Sequence, residues 1–310
     1  MRDHSLERAS RAIGVLAGAF LFLAGMQPLG AQPAAGKESP EEICKACHLE
    51  SFNSYATSRH GTKADQRAPA NRGGCLVCHG DGALEHAKKG GGRGVGGVIN
   101  PASKTLASDT KNDICLACHQ GGKRTHWSQS MHASRDTTCT SCHTVHTSHD
   151  RVRNKTTQSE VCFACHKEQR AQVNRPYRHP ITEGQVACSD CHNPHGSAGP
   201  KNMVRDSVND TCFQCHLDKR GPFVRSHQPV SEDCSICHNP HGTTYPNLLK
   251  ARSPFLCQSC HEMASHRTNP SVLGAGGRGA NFQARGCLNC HTQIHGSNAP
   301  SQSGGRGFRR

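Results

Sequence analysis

Apolar positions are unevenly spread along this chain. Ala12 to Gly25 form one continuous apolar run, preceded by Arg2, Arg8 and Arg11 and followed by Pro28 and the small residues Gly30 and Ala31. The run has about 14 residues, short of the roughly 20 that a membrane-spanning helix needs. Residues 1–31 therefore read as a secretory signal peptide cleaved after Ala31. Past it no segment is apolar enough to cross a bilayer, and the pattern predicts short α-helices in a mainly irregular chain with little or no β structure. Four helix starts carry a capping box, in which Ser or Thr caps the first turn and an acidic residue three positions on reaches back: Ser39 with Glu42, Thr110 with Asp113, Thr157 with Glu160, and Ser207 with Asp210. Ser253-Pro254 provides an N-cap and a first-turn proline instead. Glycine-rich connectors at Lys88–Gly97 and Gly274–Gly279 read as flexible or tightly turned, and residues 299–310 as a disordered basic tail.

Each of these five helix starts leads into a cysteine, and the cysteines share one motif. Cys-x-x-Cys-His occurs ten times and uses all 20 cysteines: Cys44, Cys47; Cys75, Cys78; Cys115, Cys118; Cys139, Cys142; Cys162, Cys165; Cys188, Cys191; Cys212, Cys215; Cys234, Cys237; Cys257, Cys260; and Cys287, Cys290. The following histidines are His48, His79, His119, His143, His166, His192, His216, His238, His261 and His291. Zinc sites and disulfides also use Cys-x-x-Cys, but neither requires His after every second Cys. With 23 His in 310 residues, chance places His at one such position about 7% of the time, so ten in ten is not coincidence. The motif is that of c-type haem attachment: two thiols add across the haem vinyl groups as thioethers, and the His binds the iron from one side. Ten covalently bound c-type haems are expected.

Composition fits that reading. Only 34% of residues are hydrophobic and 4% aromatic, with 32 Gly and 16 Pro, too little apolar material for the cores that a chain of this length would ordinarily hold. Ten flat apolar macrocycles would take their place, leaving the apo-chain largely unfolded. The formal charge of +14 does not indicate nucleic acid. Losing Arg2, Arg8, Arg11, Asp3 and Glu7 with the signal peptide leaves about +13, and ten haems at −1 ferric or −2 ferrous bring this to about +3 oxidised and −7 reduced. The basic residues are read as propionate partners, and aromatic residues interleaved with Lys and Arg for strand stacking are missing.

The odd and even motifs differ. The odd ones follow the helix starts and sit on short helices; the even ones follow loop-like sequence such as Asn71-Arg72-Gly73-Gly74 and are trailed by a close second His. This makes five two-haem units, beginning near residues 39, 110, 157, 207 and 253, in an elongated array. Every unit also holds one His after its odd motif, giving His60, His132, His179, His227 and His266, and one soon after its even motif, giving His86, His146, His195, His241 and His295. These ten are assigned as distal iron ligands, with His126 and His149 left over. His146, His195 and His241 stand three residues beyond a motif His, a reach of about 10–11 Å, too short to round the edge of that motif's haem. Each is expected to face another haem, within the same unit. Met131, Met203 and Met263 are read as filler, and Trp127 as packing against a haem. With two imidazoles per iron no coordination position is open, which points to an electron carrier and away from a multihaem reductase.

The tandem His-Asn-Pro-His-Gly segments, Glu232 to Lys250 (EDCSICHNPHGTTYPNLLK) and Cys287 to Asn298 (CLNCHTQIHGSN), resemble the periplasmic decahaem cytochromes of outer-membrane porin–cytochrome complexes, the MtrA/DmsE type. Relatives commonly continue His-Gly-Ser-Asn-His-Pro, whereas here Ala299 follows Asn298, which favours His295 as a ligand. The resemblance implies a multihaem cytochrome c serving as an electron wire inside a β-barrel porin. Its partners would be periplasmic or inner-membrane cytochromes and a cell-surface donor or acceptor, such as a surface cytochrome. Its place would be the periplasm, at the outer membrane; a soluble periplasmic shuttle is the alternative. On this reading residues 32–204 carry haems 1–6 and residues 205–298 carry haems 7–10.

Overall fold

Most of the helices are short segments that carry a motif cysteine or a histidine; those at Leu49–Ala56, Lys167–Val173 and Gln228–Glu232 carry neither. The computed structural model describes residues 39–261, 286–289 and 291–299. Its α-helices are α1 (Pro40–Cys47), α2 (Leu49–Ala56), α3 (Leu76–His79), α4 (Gly82–Lys88), α5 (Ser108–Leu116), α6 (Lys155–Phe163), α7 (Lys167–Val173), α8 (Cys188–Cys191), α9 (Val208–Cys212), α10 (Gln228–Glu232) and α11 (Phe255–Gln258). None of these exceeds nine residues. Among the described residues there is no strand, only isolated bridges such as Tyr177 with Thr243 and Arg225 with Ser297. The chain divides into residues 1–37 and 38–310. All described residues lie in the second unit; the signal-peptide reading, the Gly274–Gly279 connector and the basic tail past Ala299 fall outside them.

Capping follows the sequence in two helices and departs from it in three. Ser39 caps α1 and Ser207 caps α9, each accepting from the backbone N–H three residues on. Ahead of α5 and α6 the helix begins earlier than the boxes suggest. Ala107 holds the cap position of α5, and the Asn154 side chain caps α6 by accepting from the Thr156 N–H, so Thr110 and Thr157 lie inside their helices. Asn is as good a cap as Ser, and the earlier cap adds a turn. At α11 the cap is Pro254, one residue after Ser253. In each odd motif the first cysteine lies in the last turn of its helix. The even motifs, read as loop-borne, each form a single helical turn, at α3, α8, Cys139–Ser141, Cys234–Ile236 and Cys287–Asn289.

A polar clamp joins the two motifs of a unit. In the second unit the buried Asn112 accepts from the Cys139 N–H at 2.9 Å and donates to the Thr137 carbonyl. In the fourth, Asn209 accepts from the Cys234 N–H at 2.7 Å and donates to Val230 and Ser231. Gln158 does the same for Ser189 in the third unit, and Ser253 accepts from the Cys287 N–H in the fifth. In these four units one side chain on the odd helix, or just ahead of it at Ser253, thus satisfies a backbone donor at the start of the even turn.

Apolar packing is slight. The buried hydrophobic cluster consists of Phe163, Val173 and Ile181, with Val186 against it. The Lys88–Gly97 connector is tightly turned, folding back on α4: a Cβ on Gly96 would sit 2.2 Å from the His86 nitrogen and one on Gly82 would sit 2.5 Å from the Gly97 oxygen. This close approach lets the Val95 carbonyl accept from His86 Nδ1 at 3.2 Å.

Replacing Asn209 should therefore cost more than its size suggests. Asn209→Leu strands the Cys234 N–H and two carbonyls, and is expected to lower the unfolding free energy of the haem-loaded protein by about 1–3 kcal/mol, read from denaturant midpoints. An unchanged midpoint would remove the clamp from the account.

Candidate functional site

The motif cysteines follow one another in space in the order of the sequence. Within units, the side chain of Cys44 lies beside that of Cys75, Cys115 beside Cys139, Cys162 beside Cys188, Cys212 beside Cys234, and Cys257 beside Cys287. Between units the second cysteines are neighbours: Cys78 with Cys118, Cys142 with Cys165, Cys191 with Cys215, and Cys237 with Cys260. Each motif thus lies beside the next, and the second cysteine of an even motif also lies near the first cysteine of the following odd one, as Cys78 does to Cys115 and Cys142 to Cys162. Cys290 lies outside the described residues.

Nine motif histidines face a second histidine at nearly constant separation. Between ring centroids, His48 lies 6.3 Å from His86, His79 6.2 Å from His146, His119 5.9 Å from His60, and His143 6.0 Å from His195. His166 lies 6.1 Å from His132, His192 6.1 Å from His241, His216 6.2 Å from His179, His238 6.1 Å from His295, and His261 6.0 Å from His227. Two imidazoles on one metal ion, each with a metal–nitrogen bond of about 2 Å, place their ring centres about 6 Å apart. The spacing therefore fits one iron in each gap. His266, the tenth distal candidate, lies outside the described residues, and His291 is described without it. His126 and His149 are exposed, and His149 Nδ1 is hydrogen-bonded to the Ser148 hydroxyl at 2.8 Å.

The rings are held by their outer nitrogens. Nδ1 of His79 donates to the Ile99 carbonyl at 2.8 Å, His192 to Lys201 at 3.0 Å, and His238 to Asn247 at 2.8 Å. Among the facing set, His132 donates to Pro194 and His179 to Pro240, both at 2.7 Å, and His146 to Ser51 at 3.1 Å. His241 donates to the Gln172 amide oxygen at 3.2 Å. A proton on Nδ1 leaves the Nε2 lone pair for a metal. Burial works the same way, holding His60, His119, His227, His241 and His295 below the usual imidazole range and His195 down to about 4, the neutral form a metal requires.

One five-residue loop serves three of these sites. In His192-Asn193-Pro194-His195-Gly196, His192 faces His241, the Pro194 carbonyl orients His132, and His195 faces His143. The Asn193 side chain accepts from the His195 N–H and donates to the Lys123 carbonyl. Gly196 has φ +97°, and a Cβ there would come within 2.5 Å of the His126 oxygen. The His238–Gly242 loop repeats the plan, with Pro240 orienting His179 and Gly242 against Gln172. Aromatic residues repeat as well: Tyr55 lies 6.1 Å from His146, and Trp127 lies 6.2 Å from His195.

These placements correct one expectation. His146, His195 and His241 do face a motif other than the one just before them, but it belongs to the preceding unit, not their own. The clamp turns the first-cysteine edges of a unit's two motifs toward each other, so the second-cysteine edge of the even motif meets the neighbouring unit. His146 is further anchored there by Ser51 of α2. Sequence reasoning also missed Asp150, whose carboxylate accepts from His143 Nδ1 at 2.6 Å, because nothing repeats it at other motifs. The buried Arg124 and Arg225 Nε atoms have no hydrogen-bond partner among the described atoms. A haem propionate is the carboxylate that suits them. Met131 is exposed, and Met203 makes a backbone bridge to His192; Met263 lies outside the described residues.

Known proteins share this arrangement of motifs. A family model of the doubled CXXCH motif matches residues 179–221 and 227–266, and one of cytochrome c-type NrfB-like proteins matches residues 75–156. The cytochrome c-type protein NrfB of Haemophilus influenzae is 27% identical over 155 residues, 43% of this chain and 67% of its own. The multiheme cytochrome MtrA of Shewanella baltica is 42% identical over 278 residues, 86% of this chain and 82% of its own. With covalent c-type haem as its cofactor and electron transfer, not substrate turnover, as its chemistry, the chain belongs to the MtrA family of multihaem cytochromes.

Proposed function

We propose that the chain holds ten c-type haems, one per motif, each between two imidazoles, and conducts electrons along them through an outer-membrane porin. The carrying observation is the recurrence of the 5.9–6.3 Å imidazole separation at nine motifs. Numbering haems by motif, the distal ligands are His86 for haem 1, His146 for 2, His60 for 3, His195 for 4, His132 for 5, His241 for 6, His179 for 7, His295 for 8 and His227 for 9. His266 then serves haem 10. The bound haems supply one-electron Fe(III)/Fe(II) chemistry. The protein's part would be to offer two imidazoles to each iron, leaving no position for a substrate, and to hold successive motifs together so that electrons could pass from each site to the next in number.

The porin reading rests on physical constraint and on family. No helix among the described residues is long and apolar enough to cross a membrane. A backbone of loops and single turns would leave polar groups unsatisfied against lipid, and irregular structure at membrane depth is tolerated only inside protein. A charge that swings by about ten on full reduction of ten haems needs a polar sheath for the same reason. The partners are then a β-barrel porin, periplasmic or inner-membrane cytochromes supplying or accepting electrons, and a cell-surface cytochrome or other surface acceptor. The location is the periplasm, at the outer membrane.

Two measurements test these parts separately. His195→Met should convert one haem to His/Met ligation, with a raised potential. That signature should vanish when haem 4 is deleted by Cys139→Ser with Cys142→Ser, and survive deletion of haem 6 by Cys188→Ser with Cys191→Ser; the reverse outcome refutes the assignment. For conduction, liposomes enclosing a redox dye should exchange electrons with an external donor only when the cytochrome and its porin are both present. Quantitative release of the cytochrome by osmotic shock from cells with an intact barrel would favour a soluble shuttle instead.

A further inference from the structure

The site between His143 and His195 has a ring acceptor unlike those of the other described rings whose acceptor distance is known. Nine ligand-set rings donate from Nδ1 to a protein acceptor at known distance, and eight of these acceptors are neutral: seven backbone carbonyls and the Gln172 amide. At His143 the acceptor is the Asp150 carboxylate, at 2.6 Å, the shortest of the nine. Asp150 is 16% exposed and is fixed by a second contact, the Thr144 N–H to its other oxygen at 3.4 Å. Across the site, His195 Nδ1 is buried without a partner among the described atoms. One ligand is thus pulled toward imidazolate while its mate receives no such assistance.

We propose that Asp150, through its hydrogen bond to His143, lowers the reduction potential of the fourth haem and makes that position a step in the electron path where an electron resides only briefly. This rests on the assignment of His143 and His195 as the axial pair. A carboxylate accepting the Nδ1 proton raises electron density on Nε2, and the more basic nitrogen favours Fe(III), which carries one more positive charge than Fe(II). The negative carboxylate close to the metal acts in the same direction. Lys123 and Arg124 lie near His195 and oppose it, so substitution of Asp150 isolates its own part. The contacts between motif cysteines place this site between the third and fifth motifs, so electrons crossing the succession must pass it. Asp150 in this role is a positioning and tuning residue, not a ligand.

The test is a potentiometric titration of the haem-loaded full chain, followed by electron paramagnetic resonance and optical spectra. Outer-shell partners of metal ligands typically change affinity 10–100-fold. Asp150→Asn should therefore shift the ferric-to-ferrous preference of one haem about tenfold, a rise of about 59 mV for one electron, with the other nine unmoved. Asp150→Ser should do the same, and Asp150→Glu, which keeps the charge, should return the potential toward its starting value. His195→Met marks the haem concerned: its potential and that affected by Asp150→Asn must be the same one. If His195→Met moves one haem while both neutral Asp150 variants leave every potential unchanged, the tuning role is wrong and the ligand assignment stands. If His195→Met moves none, the assignment fails and the tuning role with it.

Discussion

Two imidazoles from distant parts of the chain, held about 6 Å apart and oriented, as at His192 and His241, by hydrogen bonds from their outer nitrogens, are the interaction on which this structure turns. The buried apolar cluster of Phe163, Val173 and Ile181 is far too small to order so long a chain. What joins the segments is the facing of histidine rings. His60 and His119 stand in different units, as do His132 and His166, and His179 and His216. An iron between each would be a cross-link closing a long loop, and the haem around it would be the missing apolar core. Polar clamps such as Asn209 then fix the edges on which neighbouring motifs meet.

The succession of these motifs gives the fold a functional order. First cysteines meet inside a unit, and the second cysteine of each even motif lies near the odd motif of the next unit, so sequence neighbours are spatial neighbours from the first motif to the last. Electron transfer needs closeness of cofactors more than any chemistry of the protein. The polypeptide contributes that closeness, facing pairs of imidazoles, and local electrostatics. The His-Asn-Pro-His-Gly loop shows how economically this is done, since five residues supply two ring positions and the carbonyl that orients a third.

Much of this was legible in the residues, for identifiable reasons. The attachment motif is covalent chemistry, so its residue types and spacing cannot vary and are read directly. The facing histidines were legible as a set because each recurs once per motif, and nine of those ten do stand opposite a motif His. Which motif each would reach was not, because short spacing excludes a partner without selecting one; that choice is made by tertiary anchors such as Ser51 and Gln172. Ser39 and Ser207 were readable as caps, whereas Asn154 was hidden by a competing Thr157 box. Asn112 and Asn209 both stand three residues before an odd first cysteine, a regularity that means something only once the Cys139 and Cys234 backbone donors are seen beside them. Asp150 occurs at one site, so no repeat could reveal it.

The central claim, that each iron sits between two histidines whose ring orientations are set by the fold, is tested most directly by electron paramagnetic resonance of the fully oxidised, haem-loaded protein. Among the described pairs, His48–His86, His143–His195, His192–His241, His227–His261 and His238–His295 have ring planes within 11–23° of parallel. His60–His119, His79–His146 and His132–His166 lie 77–80° apart. Near-parallel imidazoles give a rhombic three-line low-spin signal, and near-perpendicular ones give a single broad feature at higher g. The account predicts both low-spin families, the rhombic one carrying the larger share of the iron, and no high-spin component. A high-spin signal equivalent to one haem or more, or a single low-spin family accounting for all the iron, would contradict it.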